Sequence, residues 1–171
     1  MTPEQARFLL DFTLPTLKKE TATTAKVLAA APNANLDYRP SDRCMVASDL
    51  VWHIASADVM FIEGVVSGGN WKGPEKPEGV VSPEQISAWY AERMAAAIEK
   101  LEAYTPEQAA NILDFHGFMK TNAAGFITFA IGHSIHHRGQ LSAYLRPMGG
   151  KVPSIYGPSA DDDPRARAGA Q

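Results

Sequence analysis

Leu10, Leu14, Leu17, Thr21, Thr24 and Leu28 recur with a 4-3-4-3-4 spacing. That spacing lines one face of a helix, and it predicts a first helix over Pro3–Ala30. Pro15 removes one backbone hydrogen bond inside it, so a kink or restart is expected there. Ala31-Pro32-Asn33 stops the helix, and a polar, proline-bearing connection fills 32–43. Val46, Leu50, His53, Ala57 and Met60 resume the same spacing and mark a second helix that starts between Asp42 and Ser48. Ser67–Ser82 is rich in glycine and proline and reads as a long loop. Tyr90, Met94, Ala97, Leu101 and Tyr104 stripe a third helix over Pro83–Ala103. A short helix over Pro106–Asn111 and a connector over Ile112–Lys120 precede the last helix. That helix starts near Thr121 and carries the stripe Phe126, Ala130, His133, His137, Gln140 and Tyr144. Pro147-Met148-Gly149-Gly150 ends it.

One phrase opens three of these helices: Thr2-Pro3-Glu4-Gln5, Ser82-Pro83-Glu84-Gln85 and Thr105-Pro106-Glu107-Gln108. The hydroxyl caps a free N–H, proline occupies a position that needs no donor, and glutamine reaches back to the cap. No segment alternates with period two between turn signals, so no sheet is expected. Four long amphipathic helices in one domain predict an all-α four-helix bundle over 1–159, with 160–171 a disordered tail.

Composition narrows the class. The chain has 171 residues, 45% of them hydrophobic, which suffices for one folded core. The formal net charge of −3 supplies no basic face for nucleic acid. No apolar run is long enough for a membrane span, and no basic-then-apolar leader is visible. Cys44 is the only cysteine, so neither an internal disulfide nor a Cys-based zinc site can form. The expected address is the cytoplasm, with a small-molecule substrate and neither nucleic acid nor membrane as partner.

Candidate chemistry rests on histidines that occupy stripe positions. His53 lies on the second helix, His133 and His137 on the last. Residues four apart sit about 40° apart around a helix and about 6 Å along it, so two such rings can face one ion. A third imidazole from a facing helix makes a three-nitrogen site with open positions, the pattern of catalytic zinc. The plainer reading, open at this point, is that each ring is an ordinary hydrogen-bonded helix residue. His136 flanks the stripe as a supporting group, a proton carrier or a partly exposed residue. Gln140 can bond a metal-bound water or substrate, or be a satisfied bundle polar group. Asp49, one turn before His53, can accept its ring N–H or be a solvated first-turn acid. His116 and Cys44 receive no role.

The run Gly132-His133-Ser134-Ile135-His136-His137-Arg138-Gly139-Gln140-Leu141 resembles the last-helix motif of the DinB family, the DinB/YfiT-like metalloproteins. Leu50-Val51-Trp52-His53-Ile54, Tyr38-Arg39-Pro40 and the tail Val152-Pro153-Ser154-Ile155-Tyr156-Gly157-Pro158-Ser159 are similar to it as well. The resemblance implies an up-up-down-down bundle with long crossover connections before the second and last helices. It implies a divalent ion, zinc or nickel, on His53, His133 and His137, and a homodimer. Exposed apolar residues such as Phe8, Phe12, Phe118 and Phe129 agree with a two-fold interface. Characterised relatives include transferases and isomerases that use low-molecular-weight thiols. The expected activity is therefore a thiol-dependent transferase. The alternatives are a metal-dependent hydrolase or a non-enzymatic metal- or ligand-binding bundle. One departure stands out: relatives often carry a clear cap and a Glu near the second-helix His, where this chain has Val46 and Asp49.

Overall fold

The computed structural model describes residues 1–162. Four long helices, α1 (Pro3–Ala29), α2 (Ala47–Val66), α3 (Pro83–Glu102) and α5 (Ala123–Leu145), form the bundle. A short helix, α4 (Pro106–Ala110), and a two-stranded antiparallel hairpin, β1 (Leu113–Phe115) with β2 (Met119–Thr121), bridge α3 to α5. The three repeated phrases each close a full capping box, at Thr2, Ser82 and Thr105. The start of α2 is different. Val46 offers no side-chain cap, and the first amides of α2 are taken by Tyr38 and Leu36 carbonyls at 2.9 Å each. The connection before α2 thus does the work of the missing capping side chain.

The hairpin corrects the expectation of a plain connector over 112–120. Its two strands have three residues each, too few for an alternation to register. His116 at φ 50 and Gly117 at φ 74 make its turn, and the Gly117 N–H donates to Asp114 Oδ1 at 2.7 Å. Helix α1 also runs through Pro15 without interruption. Pro15 and Asp11 are both exposed, so the carbonyl that loses its donor there is open to water.

Helix directions follow from residue pairs. Arg7 donates to the Tyr104 carbonyl and Ser87 to the Ala25 carbonyl, so α1 and α3 are antiparallel. Asn122 lies on Met1, Thr24 on Ser134, and Asn35 on the Met148 carbonyl, so α1 and α5 run parallel. Phe61 packs on Phe129 and His53 on His137, which makes α2 and α5 antiparallel. Trp52 meets Trp89, and Tyr104 donates to the Val65 carbonyl, so α2 and α3 are parallel. The order is up-down-down-up, a correction to the expected up-up-down-down. The single crossover is the 67–82 loop. It climbs back along α2, with Gly73 beside Met60 and Lys76 over Trp52. The connections before α2 and before α5 each stay at one end of the bundle.

The crossover is pinned at its start. Trp71 is buried, donates from Nε1 to the Asp114 carbonyl at 2.7 Å, and covers Gly64 of α2. A Cβ on Gly64 would lie 2.2 Å from the Trp71 ring, so the loop packs this closely only because residue 64 has no side chain. The proposed tail boundary at 160 falls mostly on residues outside those described. Asp161, the last side chain but one described, accepts from Arg146 and from the Val152 amide.

Candidate metal centre

Helix α5 presents two different faces. Ile127, Ile131, Ser134, Arg138 and Leu141 are buried, and Ser134 and Arg138 bond residues of α1. His133, His137 and Gln140, one residue earlier in each turn, turn toward α2 and are half-buried. His53 lies on the less buried side of α2 with Asp49, Ser56 and Met60. The expected α5 stripe is therefore buried at Phe126, Ala130 and Tyr144, but at His133, His137 and Gln140 the deeper position passes to the next residue, about 100° further round the helix. The histidines sit on the rim of the core rather than at its centre. That position keeps them reachable from solvent, and His133 retains 18% side-chain exposure.

The antiparallel pairing of α2 and α5 brings the three rings together. One ring nitrogen from each of His53, His133 and His137 falls in a group whose members all lie within 4.8 Å of one another. Ring centroids are 4.5 Å apart for His53–His137 and His133–His137, and 5.3 Å for His53–His133. The Nε2 atoms of His53 and His137 are 3.3 Å apart.

Hydrogen bonding sets which nitrogen of His137 faces inward. The Tyr144 hydroxyl donates to the Met45 carbonyl at 3.3 Å, so its oxygen accepts from Gln140 Nε2 at 3.4 Å. Gln140 Oε1 then points at His137 Nδ1, 3.1 Å away. An amide oxygen only accepts, so Nδ1 carries the proton and Nε2 offers a lone pair to the cluster. Gln140 thus orients a ring. His136 is exposed and touches the cluster only through a 4.8 Å ring contact with His137. Asp49 is exposed in the first turn of α2, and no bond from it to a ring is found among the described residues.

The carboxylate near the rings is Asp58, which the sequence reading passed over. Asp58 is 3% exposed and its Oδ1 lies 3.8 Å from His133 Nδ1. Tyr90, 1% exposed, donates to Asp58 Oδ2 at 3.1 Å. Burial and the adjacent Asp58 charge hold the Tyr90 phenol well above its ordinary pKa, so it stays a donor. Ile54, Asp58, Phe61, Ile62 and Val65 form the buried side of α2, so an acid at the centre of that stripe was the available signal. Burial lowers the pKa of His53 and of His137. The neighbouring imidazoles press both further in the same direction. For these two rings the shift favours the neutral form, the state in which imidazole binds a metal.

The donor set fits a divalent ion. Two nitrogens bound to one tetrahedral zinc at about 2.0–2.1 Å stand about 3.3–3.4 Å apart, the spacing seen for the two Nε2 atoms. Among the described residues no fourth His, Cys, Asp or Glu joins the group. Among the described residues the arrangement is thus a three-nitrogen set.

On the other side of α5 lies a second buried polar group that the sequence reading missed. Arg138, 1% exposed, pairs with Glu20 Oε2 at 2.6 Å. It also donates to the Glu20 carbonyl, Thr24 Oγ1 and the Tyr156 hydroxyl. Tyr156 donates in turn to Glu20 Oε2 at 2.9 Å, which gives the Tyr156-Gly157-Pro158 tail a structural task.

Comparison with known proteins gives consistent matches. The profile described as the DinB family matches residues 12–166. The Bacillus subtilis protein YjoA is 30% identical over 115 residues, covering 66% of this chain and 73% of its own. YrdA of the same organism is 25% identical over 158 residues, covering 90% of this chain and 91% of its own. The crystal structure of the DinB-like YjoA superposes with a TM-score of 0.70 at 22% identity, over 85% of this chain and 99% of that one. A DinB-like protein from Bacillus cereus ATCC 10987 gives 0.69 at 26%, over 84% and 95%.

Proposed function

The chain belongs to the DinB family, and on that premise we propose that it is a metal-dependent enzyme whose His53, His133 and His137 hold one zinc or nickel ion. The reaction is a transfer with a low-molecular-weight thiol as cosubstrate and a small electrophile as substrate. The observation that carries the reading is the 3.3 Å approach of two imidazole Nε2 atoms on facing helices, with a third ring beside them. When bound, a divalent ion supplies Lewis acidity, which brings a thiol to its thiolate form at neutral pH.

The chain's own groups have separate tasks in this reading. Gln140 fixes the His137 ring, and Tyr144 fixes Gln140. Phe61 packs edge-on against His133, and Phe129 packs against Phe61, so an aromatic pair lies on one flank of the cluster. His136 is exposed beside the cluster and can carry a proton between it and solvent. The lone free thiol of Cys44 agrees with a cytoplasmic setting. Among the described residues no helix is long and apolar enough to cross a membrane. Met1, Phe8, Leu9 and Phe12 leave an apolar surface at the start of α1, which a second copy covers in a homodimer.

Metal analysis of protein purified without a nickel column tests the site. One equivalent of ion per chain is expected, and none in the His133→Ala/His137→Ala variant. A full equivalent retained by that variant after dialysis places the ion elsewhere. A conjugation screen of small thiols against electrophiles then tests the reaction, with turnover expected only in metal-loaded protein.

A further inference from the structure

The described residues leave three buried side-chain polar atoms without a hydrogen-bond partner: Thr21 Oγ1, Asp58 Oδ1 and His133 Nδ1. Two of them face each other at 3.8 Å. A buried carboxylate oxygen and a buried ring nitrogen left open are each costly, the charged group more than the neutral one. The gap exceeds a normal N–H···O bond by only about 0.8 Å.

Other partners do not serve. Thr21, Asp58, Tyr90, Ile131 and Ser134 border a void with about 10 Å³ of room, the lower bound for one water. Thr21 and Asp58 both line it, so a water there would have these two residues as its polar neighbours. His133 does not line that void, so its Nδ1 keeps Asp58 as the acceptor in front of it. The second Asp58 oxygen is held by Tyr90, which stops the carboxylate from swinging away.

We propose that Asp58, anchored by Tyr90, is the positioning residue of the metal centre: it accepts the Nδ1–H of His133 and so turns the Nε2 lone pair of that ring toward His53 and His137. The proposal rests on the three-histidine site described above. Gln140 does the same for His137, so the two ligands from α5 are oriented by different means. The amide holds one from the same helix, and the carboxylate holds the other from α2. Carboxylate partners of this kind fix ring orientation and raise ligand basicity.

The experiment uses the whole chain and zinc alone as the probe. Zinc affinity is measured by chelator competition for wild type, Asp58→Asn and Tyr90→Phe, together with thermal melting of each metal-free form. Ring nitrogen NMR of zinc-loaded wild type reports which His133 nitrogen is protonated. The expected result is an Nδ1–H on His133 and about 10–100-fold weaker zinc binding in Asp58→Asn. A smaller loss is expected in Tyr90→Phe. The metal-free melt of Asp58→Asn stays close to wild type, which a purely structural role would not allow. Unchanged zinc affinity in Asp58→Asn, or an unprotonated Nδ1 on His133 in the loaded wild type, overturns the role of Asp58 and leaves the site standing. The NMR result decides the matter even if both variants fail to fold. Wild type that takes up no zinc overturns the site and the role together.

Discussion

His137 and Arg138 are consecutive in α5, yet they sit in opposite kinds of polar environment. Arg138 is deeper, and all its neighbours are matched: Glu20, Thr24 and Tyr156 take its donors. His133 and His137 are shallower, and their surroundings are incomplete. Two Nε2 atoms crowd at 3.3 Å, and His133 Nδ1 and Asp58 Oδ1 lack partners. Depth alone therefore does not mark function. A satisfied network asks for nothing more and holds α1, α5 and the tail together. An unsatisfied one at the half-exposed rim of the core can be completed by a ligand.

Removing Arg138 should have the largest effect. Arg138→Met leaves the Glu20 carboxylate buried without its partner, and breaking such a pair costs about 3–5 kcal/mol. For a chain of this size the melting midpoint should fall by about 10 °C or more in metal-free protein. A shift under about 2 °C would mean that the pair is not a structural tie. Chelation comes next. Zinc present at a hundredfold excess over its dissociation constant stabilises by about 2.7 kcal/mol, and only that increment should disappear. Circular dichroism should show the chelated protein still helical and melting cooperatively. Loss of helix on chelation, restored by zinc, would turn the two regions into the same kind of element and remove the contrast.

A milder change on the structural side is Tyr156→Phe. It deletes one hydroxyl between Arg138 and Glu20 while their direct contact at 2.6 Å remains, so about 1 kcal/mol is expected. Zinc affinity should not move, and a change in it would show that the two networks communicate through α5.

The smallest effect concerns acid. His53 and His137 have folded pKa values below their ordinary 6.5, because burial and the neighbouring rings disfavour the charged form. Between the folded and ordinary values the unfolded chain binds more protons, so stability rises with pH in that window. The contribution is fully present above about 6.5 and declines as pH falls toward the folded values. Denaturant titrations of metal-free protein from pH 7 to 5 should show this decline. In His53→Asn/His137→Asn it should be reduced, while Arg138→Met should keep it.

Local signals in the sequence located the elements well. The three Ser/Thr-Pro-Glu-Gln phrases became capping boxes at the stated residues, because a cap depends only on four consecutive positions. Of the expected stripe on α3, Tyr90, Met94, Ala97 and Leu101 are buried, while Tyr104 lies just past the helix end and is half-buried. The start of α2 was not legible, since its amides are served by Tyr38 and Leu36 carbonyls brought in by the preceding turn. Three-residue strands left no pattern to read.

What the sequence determined by itself was the set of helices, the caps at Thr2, Ser82 and Thr105 and the candidate trio His53, His133 and His137, since helical periodicity and capping are properties of neighbours along the chain. The tertiary structure decided the direction of each helix, because the same stripes bury equally well in more than one order and only the run of the 67–82 crossover back along α2 selects one. It also decided which side of α5 is deepest, as a helix wedged between α1 and α2 has two buried faces and periodicity assigns no rank to them. The roles of Asp58 and Arg138 followed from that choice. Each depends on a partner more than 30 residues away, Tyr90 and His133 for one and Glu20 for the other, and no local pattern encodes such a meeting.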